Sequence, residues 1–280
     1  MPPWDNHLKK LVKEKNMSQP VTPEHLRNRL EAYVSHYPET TGEQNIWRTP
    51  LMVTARTDKR FDILPRIAAD NHLLPTDLLP HAKSVVVFFI PFVKDLVIEN
   101  HKGERPCLNW GLAYESTNRL INSLCQEFHQ YLDKMGYQAA LVPATHNFDH
   151  NTLLSRWSHK HLGYIANLGR FGVNAQFITP SGCAGRLGSF VTDADLGDSP
   201  LVSEKELCLH KNGKKCLVCV DRCPVGAVSE AGIDRQRCWH RLRSNHIEID
   251  AFKGLEDTTD VCGKCQVLLP CSLKVPGVKG

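Results

Sequence analysis

Cysteines crowd into one C-terminal stretch, and this clustering constrains the fold more than any other feature of the sequence. The chain has 280 residues and 11 cysteines, and eight of these lie between residues 208 and 271. Disulfide-dense scaffolds are small secreted domains, whereas this chain is long and begins without the apolar segment of a secretory signal. We therefore expect a cytoplasmic protein whose clustered thiols bind metal. The eight residues are Cys208, Cys216, Cys219, Cys223, Cys238, Cys262, Cys265 and Cys271.

The spacing of these cysteines favours iron–sulfur clusters. The run C-x2-C-x3-C-P, from Cys216 to Pro224, matches the end of the bacterial ferredoxin motif. In that motif the cysteines separated by two residues bind one cubane, while the cysteine before proline ligates the second cubane. Eight cysteines are the number that two [4Fe–4S] clusters need. Two all-thiolate zinc sites would also use eight, but the Cys-Pro-x-Gly-Ala sequence that begins at Cys223 favours iron.

The crossed ferredoxin pairing divides the eight cysteines into two sets. We expect the first set to be Cys208, Cys216, Cys219 and Cys271. We expect the second set to be Cys223, Cys238, Cys262 and Cys265. Outside the sets, we interpret Cys125 as a packed thiol of a helix, and Cys107 and Cys183 as ordinary unligated cysteines in loops.

The net charge gives no evidence for nucleic-acid binding. The formal charge is +4. Eight thiolates would add about −8 and two cluster cores would return about +4, so the loaded protein would be close to neutral. The longest apolar run, Val85 to Val93, is too short to span a membrane and contains Pro91.

The sequence before the cysteines predicts an α/β domain. Ser84–Phe92 is almost continuously apolar, which is typical of a strand buried on both faces. An amphipathic helix over Ala113–Met135 and a strand over Tyr137–Val142 complete a strand–helix–strand unit. We expect a flexible arm over 1–20, an α/β cofactor- or substrate-binding domain over 21–200, and a ferredoxin-like two-cluster domain over 201–280.

Other elements are predicted from local signals. A helix is expected to begin after Thr22 and to be limited by Pro38, followed by an irregular stretch over 38–82 with short helical pieces. A further helix is predicted over Thr152–His161, and strands over Asn174–Thr179 and Leu187–Asp193.

One stretch of the sequence resembles a known family. Ala166–Ala175, A-N-L-G-R-F-G-V-N-A, resembles the pattern A-G-L-G-x-x-G-x-N of epoxyqueuosine reductases. Together with the eight cysteines, residues 159–196 resemble short members of that family, which is related to the respiratory reductive dehalogenases. The resemblance covers roughly residues 80–275. It implies a nitroreductase-like domain that holds a base-off cobalamin beside a two-cluster ferredoxin module, with the clusters reducing the cobalt.

The resemblance also implies roles for particular residues. The loop that packs near the corrin would be formed by Gly169, Arg170, Phe171, Gly172 and Asn174, although a tight turn between helix and strand also explains its glycines. Family members that act on tRNA use an acidic proton donor above the corrin. Asp149 is the candidate here, with helix capping as the alternative role. We expect His159 and His161 to be solvated rather than to bind cobalt.

The expected function is that of an oxidoreductase. Its electron donor would be of the ferredoxin or flavodoxin type, and its substrate a small molecule or a modified nucleoside. A tRNA substrate is not expected, because the chain ends nine residues after Cys271, where full-length family members continue into a helical-repeat segment. No twin-arginine signal is present, which argues against a respiratory dehalogenase. The alternatives are a ferredoxin-like carrier or corrinoid-reducing partner, and a zinc-stabilised interaction module.

Overall fold

The computed structural model describes residues 20–143, 145 and 147–277. The predicted N-terminal arm therefore lies outside the described residues, except for Pro20. Eight strands and eight α-helices are described, together with 3-10 helices at Lys59–Ile63 and Asp250–Phe252. The strands are β1 (Leu51–Arg56), β2 (Ser84–Pro91), β3 (Ala139–Leu141), β4 (Arg170–Phe171), β5 (Phe177–Ile178), β6 (Gly185–Thr192), β7 (Val228–Ser229) and β8 (Gly232–Ile233). The helices are α1 (Pro23–Thr41), α2 (Leu64–Ile67), α3 (Pro75–Leu78), α4 (Lys94–His101), α5 (Leu108–Lys134), α6 (His159–Ile165), α7 (Val218–Asp221) and α8 (Arg235–Glu248).

A four-stranded sheet of order β1–β2–β6–β3 forms the centre of the molecule. All residues of β2 are buried, as its continuous apolar sequence predicts. The strand–helix–strand unit is present, but β6 lies between β2 and β3 and is antiparallel to both. The fold is therefore mixed α/β, with antiparallel neighbours rather than a parallel sheet. β1 was missed, because it lies in the stretch that we expected to be irregular.

Helices cover both faces of this sheet. Along α5, the apolar stripe of Leu120, Leu124, Phe128 and Leu132 is completely buried, as its periodicity predicts. The Phe128 ring centroid lies 5.2 Å from that of Phe190 on β6. The opposite face packs against α6 and the short helices near residues 59–67. The packing on these two faces of the sheet fixes the positions of the loops at its edge.

Three predicted helix boundaries are wrong. α5 begins at Leu108 rather than at the predicted Ala113. α1 continues through Pro38 to Thr41 and ends at Gly42, whose φ of +74° is typical of a helix stop. The helix predicted over Thr152–His161 begins only at His159. Before it, the Asp149 carboxylate accepts hydrogen bonds from the backbone N–H groups of Asn151 and Thr152, at 2.9 and 2.8 Å. Such local side-chain bonds compete with the helix.

The cysteine-rich region packs back onto the sheet layer through its last segment. The backbone N–H of Cys183, just before β6, donates to the carbonyl of Cys271 at 2.9 Å. The Asn100 side chain of α4 donates to the carbonyl of Cys262 at 3.0 Å. The predicted boundary near residue 200 stays a prediction. In the described part of the chain, no helix combines the length and the apolar character that a membrane span requires.

The α5 stripe predicts where stability resides. Phe128 is fully buried, so Phe128→Ala should lower the free energy of unfolding by about 3–5 kcal/mol, because the neighbouring sheet cannot close the cavity that the ring leaves. Leu112 on the same helix is 43% exposed, so Leu112→Ala should change it by less than about 0.5 kcal/mol. Denaturant unfolding of both variants measures this, and equal losses would contradict the packing described.

Candidate metal centre and adjoining cavity

The second cysteine set surrounds a single cavity. Cys223 follows α7, Cys238 lies on α8, and Cys262 and Cys265 flank one loop. All four line the same cavity of about 200 Å³, which we call the first cavity. Burial, followed by the charges of Cys262 and Cys223, raises the pKa of Cys238 to about 11. Burial and the thiols of Cys238, Cys262 and Cys223 likewise raise the pKa of Cys265.

The first cysteine set is also gathered in space. Burial raises the pKa of Cys219 to about 11, with further contributions from Cys271, Cys208 and Cys216. Cys271 therefore lies with the N-terminal cysteines of the motif, and Cys223 lies with the later ones. These neighbours agree with the crossed pairing, but Cys219 also acts on the pKa of Cys265, so the division into two sets and the ligand roles stay a prediction. Within the described residues, no group of three or more His, Cys, Asp or Glu side chains is arranged to hold a metal ion.

The Cys-Pro-x-Gly-Ala motif has a clear local geometry. Gly226 has a φ of +61°, which turns the chain back toward Cys223. The Ala227 N–H then donates to the Cys223 sulfur at 3.1 Å. Backbone donors to sulfur are among the features that stabilise and tune iron–sulfur clusters.

A buried lysine holds the loop between Cys262 and Cys265. Lys264 is only 1% exposed, and its ammonium donates to the carbonyls of Asn100 and Lys102 at 2.5 and 2.9 Å. Burial lowers its pKa, while the nearby Cys262 thiol opposes that shift. The sequence analysis missed this residue, because a lysine in a polar loop is normally exposed.

A second cavity of about 300 Å³ adjoins the first. The two share Gln176, Gly185, Arg186 and Gln266 in their walls. The Arg186 guanidinium lies over the Tyr114 ring, 4.2 Å from its centroid, and the buried Nε has no hydrogen-bond partner.

The second cavity is cationic. Lys160 also lines it and donates to the Ala175 carbonyl at 3.0 Å. Burial lowers the pKa of Lys160, and the thiols of Cys265, Cys183 and Cys238 raise it. No carboxylate of the described residues lines this cavity. The sequence offered no signal for Lys160 or Arg186, since both are single cations in ordinary surroundings.

His159 is not solvated, contrary to the expectation from sequence. It is 8% exposed, and its ring nitrogens bond to Ser189 Oγ at 2.7 Å and to the Pro143 carbonyl at 3.2 Å. His161 is half-buried and bonds to Ser158 Oγ at 2.8 Å. Burial lowers the pKa of both imidazoles to about 4. With both nitrogens of His159 engaged, that ring is a structural element.

The residues of the predicted corrin loop make their contacts within the protein. A Cβ on Gly169 would lie 2.2 Å from the Ile178 carbonyl oxygen, so this glycine is required by close packing on β5. Arg170 is buried and donates to the carbonyls of Gly169 and Ser203. Phe171 packs against Phe177, with centroids 5.4 Å apart.

The end of this loop meets the cysteines instead. Asn174 is buried and donates to the carbonyl of Cys265. Gly172 lies beside it, and a Cβ there would be 2.6 Å from the Asn174 amide oxygen. None of the five predicted contact residues lines either cavity. Their role toward a corrin stays a prediction.

Asp149 lies in an exposed turn and lines neither cavity. Hydrogen bonds from the Thr152 and Asn151 backbones hold its pKa below the usual range. Its present contacts are those of a turn-forming aspartate, and its role as a proton donor stays a prediction.

The buried His159 predicts an acid sensitivity of the fold. Its pKa is about 4 in the native protein and near 6.5 in an unfolded chain, so the unfolded state binds more protons below pH 6.5 and stability falls there. His159→Gln should lower stability at pH 7.5 but should reduce the further loss between pH 7.5 and 5.5 by about 1 kcal/mol. Denaturant unfolding at the two pH values measures this. An unchanged pH dependence in the variant would contradict a neutral, buried His159.

No protein-family profile and no curated protein sequence matches the chain. Solved structures do match. An epoxyqueuosine reductase gives a TM-score of 0.51 at 15% identity, over 88% of this chain and 66% of that one. An epoxyqueuosine reductase with a modified tRNA stem loop gives 0.50 at 16% identity, over the same shares. A catabolic reductive dehalogenase gives 0.52 at 14% identity, over 81% of this chain and 30% of that one.

The chain thus spans slightly less than two thirds of the length of the epoxyqueuosine reductases and under one third of the dehalogenase. The neighbours are reductases, and one of the dehalogenase structures is described as B12-dependent. The resemblance predicted from residues 159–196 and the cysteines is confirmed at the level of the fold. This chain has the fold that epoxyqueuosine reductases share with B12-dependent reductive dehalogenases.

Proposed function

We propose that this protein is an iron–sulfur reductase in which two [4Fe–4S] clusters carry low-potential electrons to a group bound in the second cavity. One observation carries the proposal: the four thiols of the second set line a cavity that shares a wall with the second cavity. A cluster held there would adjoin the space in which a substrate or cofactor could bind. When bound, the clusters supply one-electron transfer at low potential.

The burial of the thiols supports a metal-bound state. Burial raises the pKa values of Cys219, Cys238, Cys262 and Cys265, so without a cation these groups would be neutral thiols. A metal core makes the thiolates favourable and couples its own binding to folding. The N–H donor of Ala227 to Cys223 and the proline after Cys223 support a cubane rather than zinc.

The cations around the second cavity fit this role. Lys160 lies near three cysteine thiols, and its charge would offset the negative charge of a cluster held by the second set. Arg186 presents an unsatisfied Nε at the wall shared by the cavities. It would orient a polar or anionic group of the molecule being reduced.

Cobalamin is the group that the resemblance places beside the clusters, but neither cavity is large enough to hold it whole. Pockets for drug-sized ligands occupy about 300–1,000 Å³, and a cobalamin is larger than such ligands. The two cavities measure about 200 and 300 Å³. We therefore derive no step through a corrin, and we keep Asp149 and the Gly169–Asn174 loop as proposals tied to its binding.

Iron content tests the two cysteine sets. The wild type should hold about eight iron atoms, and Cys216→Ala should lose about half, because one cubane loses a ligand. A double variant within the first set, Cys216→Ala with Cys271→Ala, should lose no more than that. A double variant across the sets, Cys216→Ala with Cys223→Ala, should lose nearly all the iron.

The cross-set variant distinguishes the crossed pairing from the simple one. If Cys208, Cys216, Cys219 and Cys223 held one cluster, the cross-set variant would retain about half the iron. Cys125→Ala is the matched control, because this thiol is buried within α5 away from both sets and should leave the iron unchanged. Full iron content in Cys216→Ala would exclude the assignment.

Corrin binding separates a cobalamin-dependent reductase from an electron carrier. Anaerobic, reconstituted protein is mixed with cob(II)alamin and its EPR spectrum is recorded. The resemblance predicts a shift to the base-off signal. An unshifted spectrum beside intact cluster signals would favour the ferredoxin-like carrier or corrinoid-reducing partner. It would also remove the reason for assigning Asp149 a catalytic role.

A further inference from the structure

Two cations from different elements line the second cavity. Arg186 lies near the beginning of β6, and Lys160 lies near the beginning of α6. In the described part of the chain, neither side chain forms a salt bridge with a carboxylate. The described residues therefore supply no anion to balance these two charges.

The guanidinium of Arg186 has a fixed orientation and a free edge. The Tyr114 ring covers one of its faces, with the ring centroid 4.2 Å from Arg186 Cζ. On its edge, the buried Nε has no hydrogen-bond partner among the described residues. A buried donor on a charged group is unfavourable until an acceptor binds it. The edge that carries Nε is one with which an arginine binds two oxygens of a carboxylate or a phosphate.

The rest of the wall suits the body of a small organic molecule. Phe89, Trp157 and Phe177 contribute aromatic rings, and Gln176 and Gln266 contribute amides. Small-molecule sites combine apolar walls with a few polar groups in this way, and the volume of about 300 Å³ is at the lower end of their range. A compact apolar body with one anionic group matches this lining.

We propose that the ligand of the second cavity is a small organic oxyanion, a carboxylate or a phosphate ester, whose anionic group binds the Nε edge of Arg186. This inference rests on the proposed function and names the class of the group that it leaves open. Lys160 supplies the second positive charge, because its bond to the Ala175 carbonyl uses only one of its three N–H donors. An anion in this cavity would be repelled by a cluster held by the second set, and the two cations offset that repulsion.

The test measures ligand binding to anaerobic, cluster-loaded protein by isothermal titration calorimetry. The probes are phenylacetate, phenyl phosphate and phenylacetamide, which is a neutral molecule of nearly the same shape as phenylacetate. We expect at least one anion to bind, and the amide to bind at least about tenfold more weakly than that anion, because it makes no charge-assisted bond to Arg186. The anion that binds more tightly identifies the preferred acidic group.

Variants of the two cations locate the anionic group. Arg186→Gln removes the charge and the Nε edge, and it should weaken binding of the preferred anion at least about tenfold. Arg186→Lys keeps the charge without the edge, so it should give an intermediate loss, and it replaces the Gln variant if that variant does not fold. Lys160→Met should cause a smaller loss than Arg186→Gln, because this residue contributes mainly charge. The matched control is Lys134→Met, which removes an exposed charge at the end of α5, outside the cavity, and should leave the affinity unchanged.

Three results would overturn the inference. They are equal affinities for the anions and the amide, an unchanged anion affinity in Arg186→Gln, and no binding of any of the three probes to the loaded protein. Iron and sulfide are measured in the same samples, so a failure of the proposed function is recognised separately. In that case the wild type itself would hold no iron–sulfur clusters, whatever its affinity for the probes.

Discussion

The contact between the Cys262–Ser272 segment and the edge of the sheet layer determines how the rest of the structure can work. Backbone bonds from Cys183 and Ala184 hold one end of this segment, and the buried ammonium of Lys264 holds the other by binding two carbonyls of the α4 region. Because of these bonds, the second cysteine set adjoins the second cavity and Cys271 reaches the first set. If the cysteine region were loosely attached, it would fix neither the second set beside the second cavity nor Cys271 beside the first set. This contact thus brings the second cysteine set beside the cavity in which we propose that the reduced group binds.

Much of the architecture was predictable, because it depends on long, strongly patterned segments. The apolar run of β2 and the stripe of α5 identify the central strand and its covering helix, and the spacing of the cysteines predicts two sets before any coordinates are considered. The Cys-Pro step also predicts the crossed grouping of these sets, which stays a prediction. These signals persist because buried strands and amphipathic helices depend on hydrophobic periodicity more than on distant context.

The failures share a different physical origin. β1 is short and covered on both faces, so its sequence carries no alternation. The side chains of Asp149 and Ser155 accept hydrogen bonds from nearby backbone N–H groups, so α6 begins only after them. Hydrophobic periodicity does not report such local bonds. A glycine is needed at position 169 because a Cβ there would clash with the carbonyl oxygen of Ile178, which is a tertiary contact. The roles of Lys160, Lys264 and Arg186 depend on residues far away in the chain, and no local pattern marks them.

The central claim is that the gathered cysteines hold two [4Fe–4S] clusters. The most direct measurement is the content of iron, acid-labile sulfide and zinc in protein purified and reconstituted without air. The account predicts about eight iron and eight sulfide per chain and no stoichiometric zinc. About two zinc ions per chain, with little iron taken up on reconstitution, would contradict it and would make the cysteine region a structural zinc module.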